Sequence, residues 1–342
     1  MYILAIETTG PHCSVALIDE KGNVTEKSSG GTLNHLQNLI PMIKALLDDC
    51  KLQIDDMTAI AVSAGPGSFT GIRIGVSTAR ALCQAAGKPA IAVPTLKSFV
   101  YHMCADCASS GVCALGGSDV NCSSSKARIK IAAPIFDARR NQVYGGAYVM
   151  RAVNCAMGGA GEQCASENCA SGGGEIIEVV RGGAYMLDEF LELLAAALVS
   201  DCNSEFLGGC NSQDGFSDIC ASADCGLENC ASADCGSENC GSAQAEVVFY
   251  GDGCEKYGET ALEFCRAHGI NASICGETQK ASSVARLALD MYKAGELLEY
   301  GQLHPDYMRK AEAERKLEEK RRAEKELSAR EKKQAGENGK SK

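Results

Sequence analysis

The chain lacks several features that would have decided its class at once. It has no apolar run of membrane-spanning length. FLELLAAALV, from Phe190 to Val199, is about half of the ~20 residues that a helix needs to cross a bilayer. The opening residues, MYILAIETTG, carry no basic segment and move straight into strand-like alternation, so no secretory leader is expected. An excess of positive charge is missing too. The net charge is −11 over 342 residues, and residues 309 to 342 hold 13 basic and 8 acidic groups, so the remainder sits near −16. An acidic body argues against a broad phosphate-binding surface. RNA contact would have to be local, tail-borne or supplied by a partner.

Catalytic signatures are equally scarce. There is no His-Glu-x-x-His zinc motif and no Gly-x-Ser-x-Gly nucleophile elbow. The stretch SAGPGSFTGIRIGVSTARAL, Ser63 to Leu82, resembles a phosphate cradle leading into a helix. Yet no lysine follows its glycines, as a Walker loop requires, and Gly71 comes four residues after Gly67 where a dinucleotide loop needs three. Two readings stay open for the loop. It is a tight strand-to-helix turn capped by Ser68 or Thr70, or an anion site at a helix N-terminus.

Cysteine is the residue in excess, with 20 in the chain. Without a leader, the expectation is a reducing compartment and free thiols. Cys104 and Cys107 form a C-x-x-C that could be completed by Cys113 and Cys122 as a metal site, although the spacing is irregular. Cys220, Cys225, Cys230, Cys235 and Cys240 recur every five residues within a tandem ten-residue repeat. That periodicity fits a low-complexity expansion better than a zinc knuckle.

Apolar patterning organises the rest. Tyr2 to Glu7, Cys13 to Asp19 and a third segment after the EKGN turn read as strands. Leu33, Leu36, Leu39, Ile40, Ile43, Leu46 and Leu47 make a helical stripe, with Pro41 expected to kink it. Met57 to Gly65 reads as a buried strand, a helix runs to about Ala86, and Lys88 to Thr95 is a short strand. A related pattern returns at 127–150, 174–180, 187–198, 246–253 and 282–296. Asp137, in DARR, either makes a hairpin turn or pairs with Arg139 or Arg140. The expected fold is α/β, two βββαβα-type halves at 1–103 and 127–303. Residues 104–126, 154–173 and 201–245 lack apolar periodicity and read as Cys-rich low-complexity insertions. Residues 304–342 read as a charged helical tail.

Along the helix after the loop, Gly71, Gly75 and Ala79 recur every fourth residue. Such a smooth face serves either internal packing against the sheet or close approach of a partner helix. We take the second reading as the expectation, with Gly75→Arg predicted to block pairing without unfolding the monomer.

Five segments carry a resemblance. ILAIETTGPHCSVAL (3–17), GPGSFTGIRIGVSTARAL (65–82), PIFDARRNQVYGGAY (134–148), FYGDG (249–253) and HPDYMRKAEAE (304–314) resemble, in order, the TsaB (YeaZ-type) family. The resemblance implies an actin-like/Hsp70-like ATPase (ASKHA) fold. It also implies a non-catalytic subunit that dimerises with a TsaD-like transferase, which makes N6-threonylcarbamoyladenosine (t6A) at position 37 of tRNAs reading ANN codons. A TsaE-like ATPase would join the complex, tRNA would be met indirectly, and the chain alone would homodimerise. The paralogous TsaD-type proteins carry a metal-binding His-x-x-x-His after the corresponding strand. Here Ala92 to Phe99 (AVPTLKSF) has no histidine, and the nearby His102 reads as a surface or loop residue.

The expected partner face combines Leu36, Leu39, Ile40, Ile43 and Leu47 with Gly71, Ile72, Arg73, Ile74, Gly75, Ser77, Ala79 and Arg80. A vestigial nucleotide cleft, holding ATP or ADP, would draw on Glu7, Thr8, Thr9, Gly65, Gly67, Ser68 and Asp252, with Glu7 and Asp252 facing each other. No catalytic residue, metal ligand or resident cofactor is expected, and the setting is cytoplasmic without membrane contact. Two other classes remain: an ASKHA-type ATPase or phosphotransferase, and a Cys-rich metal-binding protein.

Overall fold

The computed structural model describes residues 1–29, 35–102, 130–152, 174–199 and 245–308. The expected Cys-rich insertions and charged tail lie outside the described residues, apart from their margins.

The first half begins with β1 (Tyr2–Glu7) and β2 (Ser14–Asp19), paired antiparallel with Glu7 opposite Ser14. The EKGN turn forms because the Asp19 carboxylate accepts the amides of Lys21 (2.8 Å) and Asn23 (2.9 Å). It delivers β3 (Val24–Ser28). Helix α1 (His35–Cys50) continues through Pro41, β4 (Ala59–Gly65) joins β1 in parallel, and α2 (Phe69–Ala86) leads to β5 (Ala90–Pro94). Gly87 stops α2 in the left-handed region at φ 62°. The sheet order is β3-β2-β1-β4-β5.

A short helix α3 (Thr95–Ser98) precedes the second half: β6 (Lys130–Asp137), β7 (Gln142–Ala152), β8 (Gly174–Met186), α4 (Leu187–Val199), β9 (Glu246–Tyr250), α5 (Cys254–Ala267) and β10 (Asn271–Ile274). Its sheet order, β10-β9-β6-β7-β8, repeats the first with β6 in the place of β1. Each sheet carries an antiparallel meander on one side and parallel strands on the other. The two related halves expected from the sequence are therefore present.

Three things differ from the sequence reading. Strand β8 runs six residues beyond the predicted Val180. Helix α5 and strand β10 were not predicted. Gly258 breaks the α5 pattern for a packing reason: a Cβ there would stand 2.6 Å from Ile274 Cδ1 on β10. Finally, α6 (Ala281–Lys293), assigned by sequence to the second half, lies on the first sheet against all five of its strands. Its leading amides are satisfied from that sheet, Ala281 by Ser14 Oγ (2.9 Å) and Ser282 by Glu26 Oε1 (3.2 Å). The chain then runs beside β5, where Ala90 and Leu298 exchange backbone hydrogen bonds of 2.8 and 2.9 Å, and Leu303 enters the core. The second half thus gives its last helix and the following strap to the first. Both sheets belong to one compact unit, Met1–Asp306.

Candidate functional site

The glycine-rich loop sits where the parallel strands β1 and β4 end, the place where open α/β sheets tend to bind ligands. Here the loop is closed on itself. Glu7 is fully buried, and its carboxylate accepts from the Thr9 amide, the Thr9 hydroxyl (2.6 Å) and the Ser63 hydroxyl. Burial raises its pKa above the ordinary 4.5, while these hydrogen bonds work in the opposite direction. Ser68 N donates to the Thr9 carbonyl (2.8 Å), and Ser68 Oγ accepts Gly71 N (3.3 Å) as the N-cap of α2. The capping reading of Ser68 holds.

The glycines have a steric cause. Gly65 (φ 132°) and Gly67 (φ 152°) occupy backbone geometry that side chains disfavour. A Cβ on Gly65 would meet the Asp306 carbonyl, one on Gly67 would lie 2.7 Å from the Thr9 carbonyl, and one on Gly71 would collide with the Thr8 carbonyl. Carbonyl oxygens press on the loop from three directions, and four of its amides (Thr9, Ser68, Gly71, Ile72) donate within the protein. This arrangement does not fit a phosphate.

Glu7 and Asp252, expected to face each other across a cleft, have different surroundings. Glu7 is held within the first half. Asp252 lies in the turn after β9; it is exposed, but crowding of its carboxyl and repulsion from Asp137 raise its pKa. Asp137, at the end of β6, is the topological counterpart of Glu7 at the end of β1. It accepts the Arg139 amide at 2.8 Å, which is the hairpin-turn reading, and Tyr257 O–H at 3.2 Å. The signal that identifies Asp137 is the repeated strand order, which the sequence expresses only weakly.

The predicted partner face divides in two. Gly71, Ile72, Gly75 and Ala79 are buried against the sheet, where a Gly75 Cβ would collide with Thr8 Oγ1. Leu39, Ile43 and Leu47 are buried in the same core. The small-residue stripe therefore serves internal packing, and the expectation that it faces a partner is corrected. Gly75→Arg would break the fold instead of uncoupling a complex. The remaining positions do face outward: Leu36 at 74% exposure, Ile40 at 53%, with Arg73 and Ser77 exposed and Ile74 and Arg80 half-buried. Sequence reasoning missed Phe69, 40% exposed on the first turn of α2, with the Arg73 guanidinium 4.0 Å above its ring. Helices α1 and α2 are in contact, with Leu36 and Ile40 exposed on the first and Phe69 and Arg73 exposed on the second.

His102 is not a surface residue. It is buried, stacked on Phe99 at 4.5 Å, with Nε2 on the Thr278 carbonyl (2.9 Å) and Nδ1 on Ser283 Oγ (3.0 Å). Since a carbonyl only accepts, Nε2 carries the proton, and in the neutral ring Nδ1 then accepts from the Ser283 hydroxyl. Phe99 also meets Phe136 (5.5 Å) and Tyr250 (5.7 Å) of the second sheet, so this cluster joins the halves. Among the described residues, no three His, Cys, Asp or Glu side chains converge as a metal ion requires, and no helix is long and apolar enough to cross a membrane.

A family model described as TsaD, tRNA N6-adenosine threonylcarbamoyltransferase, matches residues 23–224, more than half of the chain. The chain is 34% identical over 148 residues to the tRNA threonylcarbamoyladenosine biosynthesis protein TsaB of Bacillus subtilis, covering 43% of this chain and 55% of that one. It is 41% identical over 96 residues to TsaB of Escherichia coli, covering 28% and 41%. The chain thus spans about half the length of the curated relatives it matches. The solved structure of YeaZ from Pseudomonas aeruginosa superposes over 90% of this chain and 99% of its own, with a TM-score of 0.51 at 19% identity, which shows a shared ASKHA-type fold. By the family-model match over more than half of its length, the chain belongs to the family that carries the TsaD description, and it is similar to TsaB and YeaZ-type proteins.

Proposed function

We propose that this protein is a non-catalytic subunit that binds and stabilises a TsaD-like threonylcarbamoyltransferase during t6A formation at position 37 of tRNAs reading ANN codons. The observation that carries the reading is the apolar layer on α1 and α2. Leu36 and Ile40 stand exposed on one helix and Phe69, under Arg73, on the other. Large exposed apolar side chains on two contacting helices mark an interface more often than a free surface. Alone, the chain pairs with a second copy through this layer; with a transferase present, the layer is exchanged. A TsaE-like ATPase joins the assembly, tRNA is reached through the partners, and the setting is the cytoplasm. The relatives' printed role in threonylcarbamoyladenosine biosynthesis supports the pathway. The absence of the His-x-x-x-His pattern from AVPTLKSF supports leaving transfer chemistry to the partner.

The test is co-expression with a TsaD-like protein, followed by affinity purification. The two co-purify, and Leu36→Asp with Ile40→Asp removes the partner from a folded chain. Retention of the partner by that folded double variant sinks the proposed face. Steady ATP hydrolysis by the purified chain alone would sink the non-catalytic role.

A further inference from the structure

The segment between β10 and α6 crosses from the second half to the first and is held at successive residues. The Glu277 carbonyl accepts the Gly251 amide, in the turn after β9, at 3.1 Å. The Thr278 carbonyl accepts from His102 Nε2 at 2.9 Å. Ala281 N, at the start of α6, donates to Ser14 Oγ on β2 at 2.9 Å. The side chains of Glu277 and Lys280 pair with each other and stay partly exposed. Between these fixed points Gln279 is buried, at 4% exposure.

The Gln279 carboxamide lies on Gly10, in the turn between β1 and β2. A Cβ on Gly10 would stand 2.5 Å from Gln279 Oε1, 2.8 Å from its Cδ and 3.2 Å from its Cβ. Oε1 has no hydrogen-bond donor among the described residues. The amides of the same turn, Thr9 and Gly10, already donate to the Glu7 carboxylate. Gln279 therefore acts here by its volume. Its position matters because Gly10 lies just beyond β1, which ends at Glu7, and Gly251 just beyond β9, which ends at Tyr250. The nucleotide cleft expected from the sequence would run between those strand ends, where open sheets of this kind take their ligands. Residues 277–281 span that interval.

We propose that residues 277–281 are a clasp that keeps the seam between the halves shut, with Gln279 as its plug. The two halves then move as one body, and ATP or ADP is not admitted between them. The residues present do not fit such a ligand, because a side chain fills the space over Gly10 and the amides of that turn face Glu7. His102 supports the clasp from the segment after α3. Its ring stacks on Phe99, which packs on Phe136 and Tyr250 of the second sheet. Opening the seam means releasing the Glu277 and Thr278 carbonyls, the Ala281 amide and the Gln279 side chain together. Contacts shared along one short segment open as a unit.

Hydrogen exchange of the full-length protein, read by mass spectrometry with and without MgATP, tests the clasp. In the wild type, residues 9–14 and 278–284 exchange slowly, and MgATP leaves their rates unchanged. Gln279→Gly removes the plug and speeds both segments together, by about tenfold or more. Gln279→Met refills the same volume without the unpaired oxygen and keeps both segments slow. Protection of the seam by MgATP in the wild type overturns the proposal without recourse to any variant. So does a Gln279→Gly protein whose seam exchanges at the wild-type rate, or a Gln279→Met protein that opens as Gln279→Gly does. None of these residues lies on α1 or α2, so co-purification with a transferase reports on that face independently of this result.

Discussion

Gly71 and Gly75 sit where the Thr8 backbone and hydroxyl leave no room for a side chain. Gly71→Ala drives a methyl group into a backbone carbonyl and costs about 1–3 kcal/mol, as overpacking does. Gly75→Arg leaves little folded protein. Urea unfolding and soluble yield measure both, and a folded, wild-type-stable Gly75→Arg would contradict the buried placement. Glu7 makes a separate claim about pH. Its carboxyl is raised in the folded state, so the fold holds that proton more tightly than the unfolded chain does. The stability it contributes is fully present below the unfolded value near 4.5 and is lost as the pH rises through the raised folded value. Glu7→Gln removes that slope, so the urea midpoints of the two proteins should diverge in pH dependence above pH 4.5. Parallel curves would show that Glu7 does not titrate differently on folding.

At the scale of elements, α1 has two faces with different duties. Leu39 and Ile43 fill the first core, and truncating either to Ala costs about 2–5 kcal/mol in unfolding measurements. Leu36 and Ile40 face outward, so their replacement by Asp changes stability by no more than ~0.5 kcal/mol in either direction. These two helix faces are told apart in the monomer, where the core pair moves the denaturation midpoint and the exposed pair does not; in a dimer, losing the exposed pair lowers apparent stability only through lost association. The His102 cluster binds elements across the halves. Ser283→Ala leaves the buried Nδ1 without its donor and costs about 1–3 kcal/mol, whereas an exposed serine such as Ser77 would cost almost nothing. Equal denaturation midpoints for Ser283→Ala and Ser77→Ala would refute this role for Ser283.

For the molecule as a whole, the repeated strand order explains which sites are alike and which are not. Each half ends its central strand in an acidic residue, Glu7 in β1 and Asp137 in β6. The first is sealed by hydroxyls and amides, and the second meets Tyr257, Lys256 and Asp252 at a more open edge. An apolar layer carried entirely by the first half leaves the second half free of the association it mediates. Sedimentation of the purified chain therefore shows a dimer that Leu36→Asp with Ile40→Asp converts to a monomer. A dimer that survives the double variant would move the interface elsewhere.

The sequence alone determined the strand-and-helix rhythm of the first half and most of the second, α5 and β10 excepted, because alternation of period two and stripes of period 3.6 are local consequences of which face is buried. It also marked the EKGN turn and the resemblance to a family, and it offered the Ser68 cap and the Asp137 turn among open readings, since each depends on residues close in the chain. What it could not determine was direction. A stripe of Gly71, Gly75 and Ala79 permits close approach by any neighbour, and only the tertiary structure places the Thr8 backbone there instead of a partner helix. The same holds for α6, whose apolar face fits either sheet in principle and packs on the first. His102 looked solitary because Thr278 and Ser283, which hold its two nitrogens, are 176 and 181 residues away in sequence. Contacts of that range leave no local pattern, and only the folded chain brings them together.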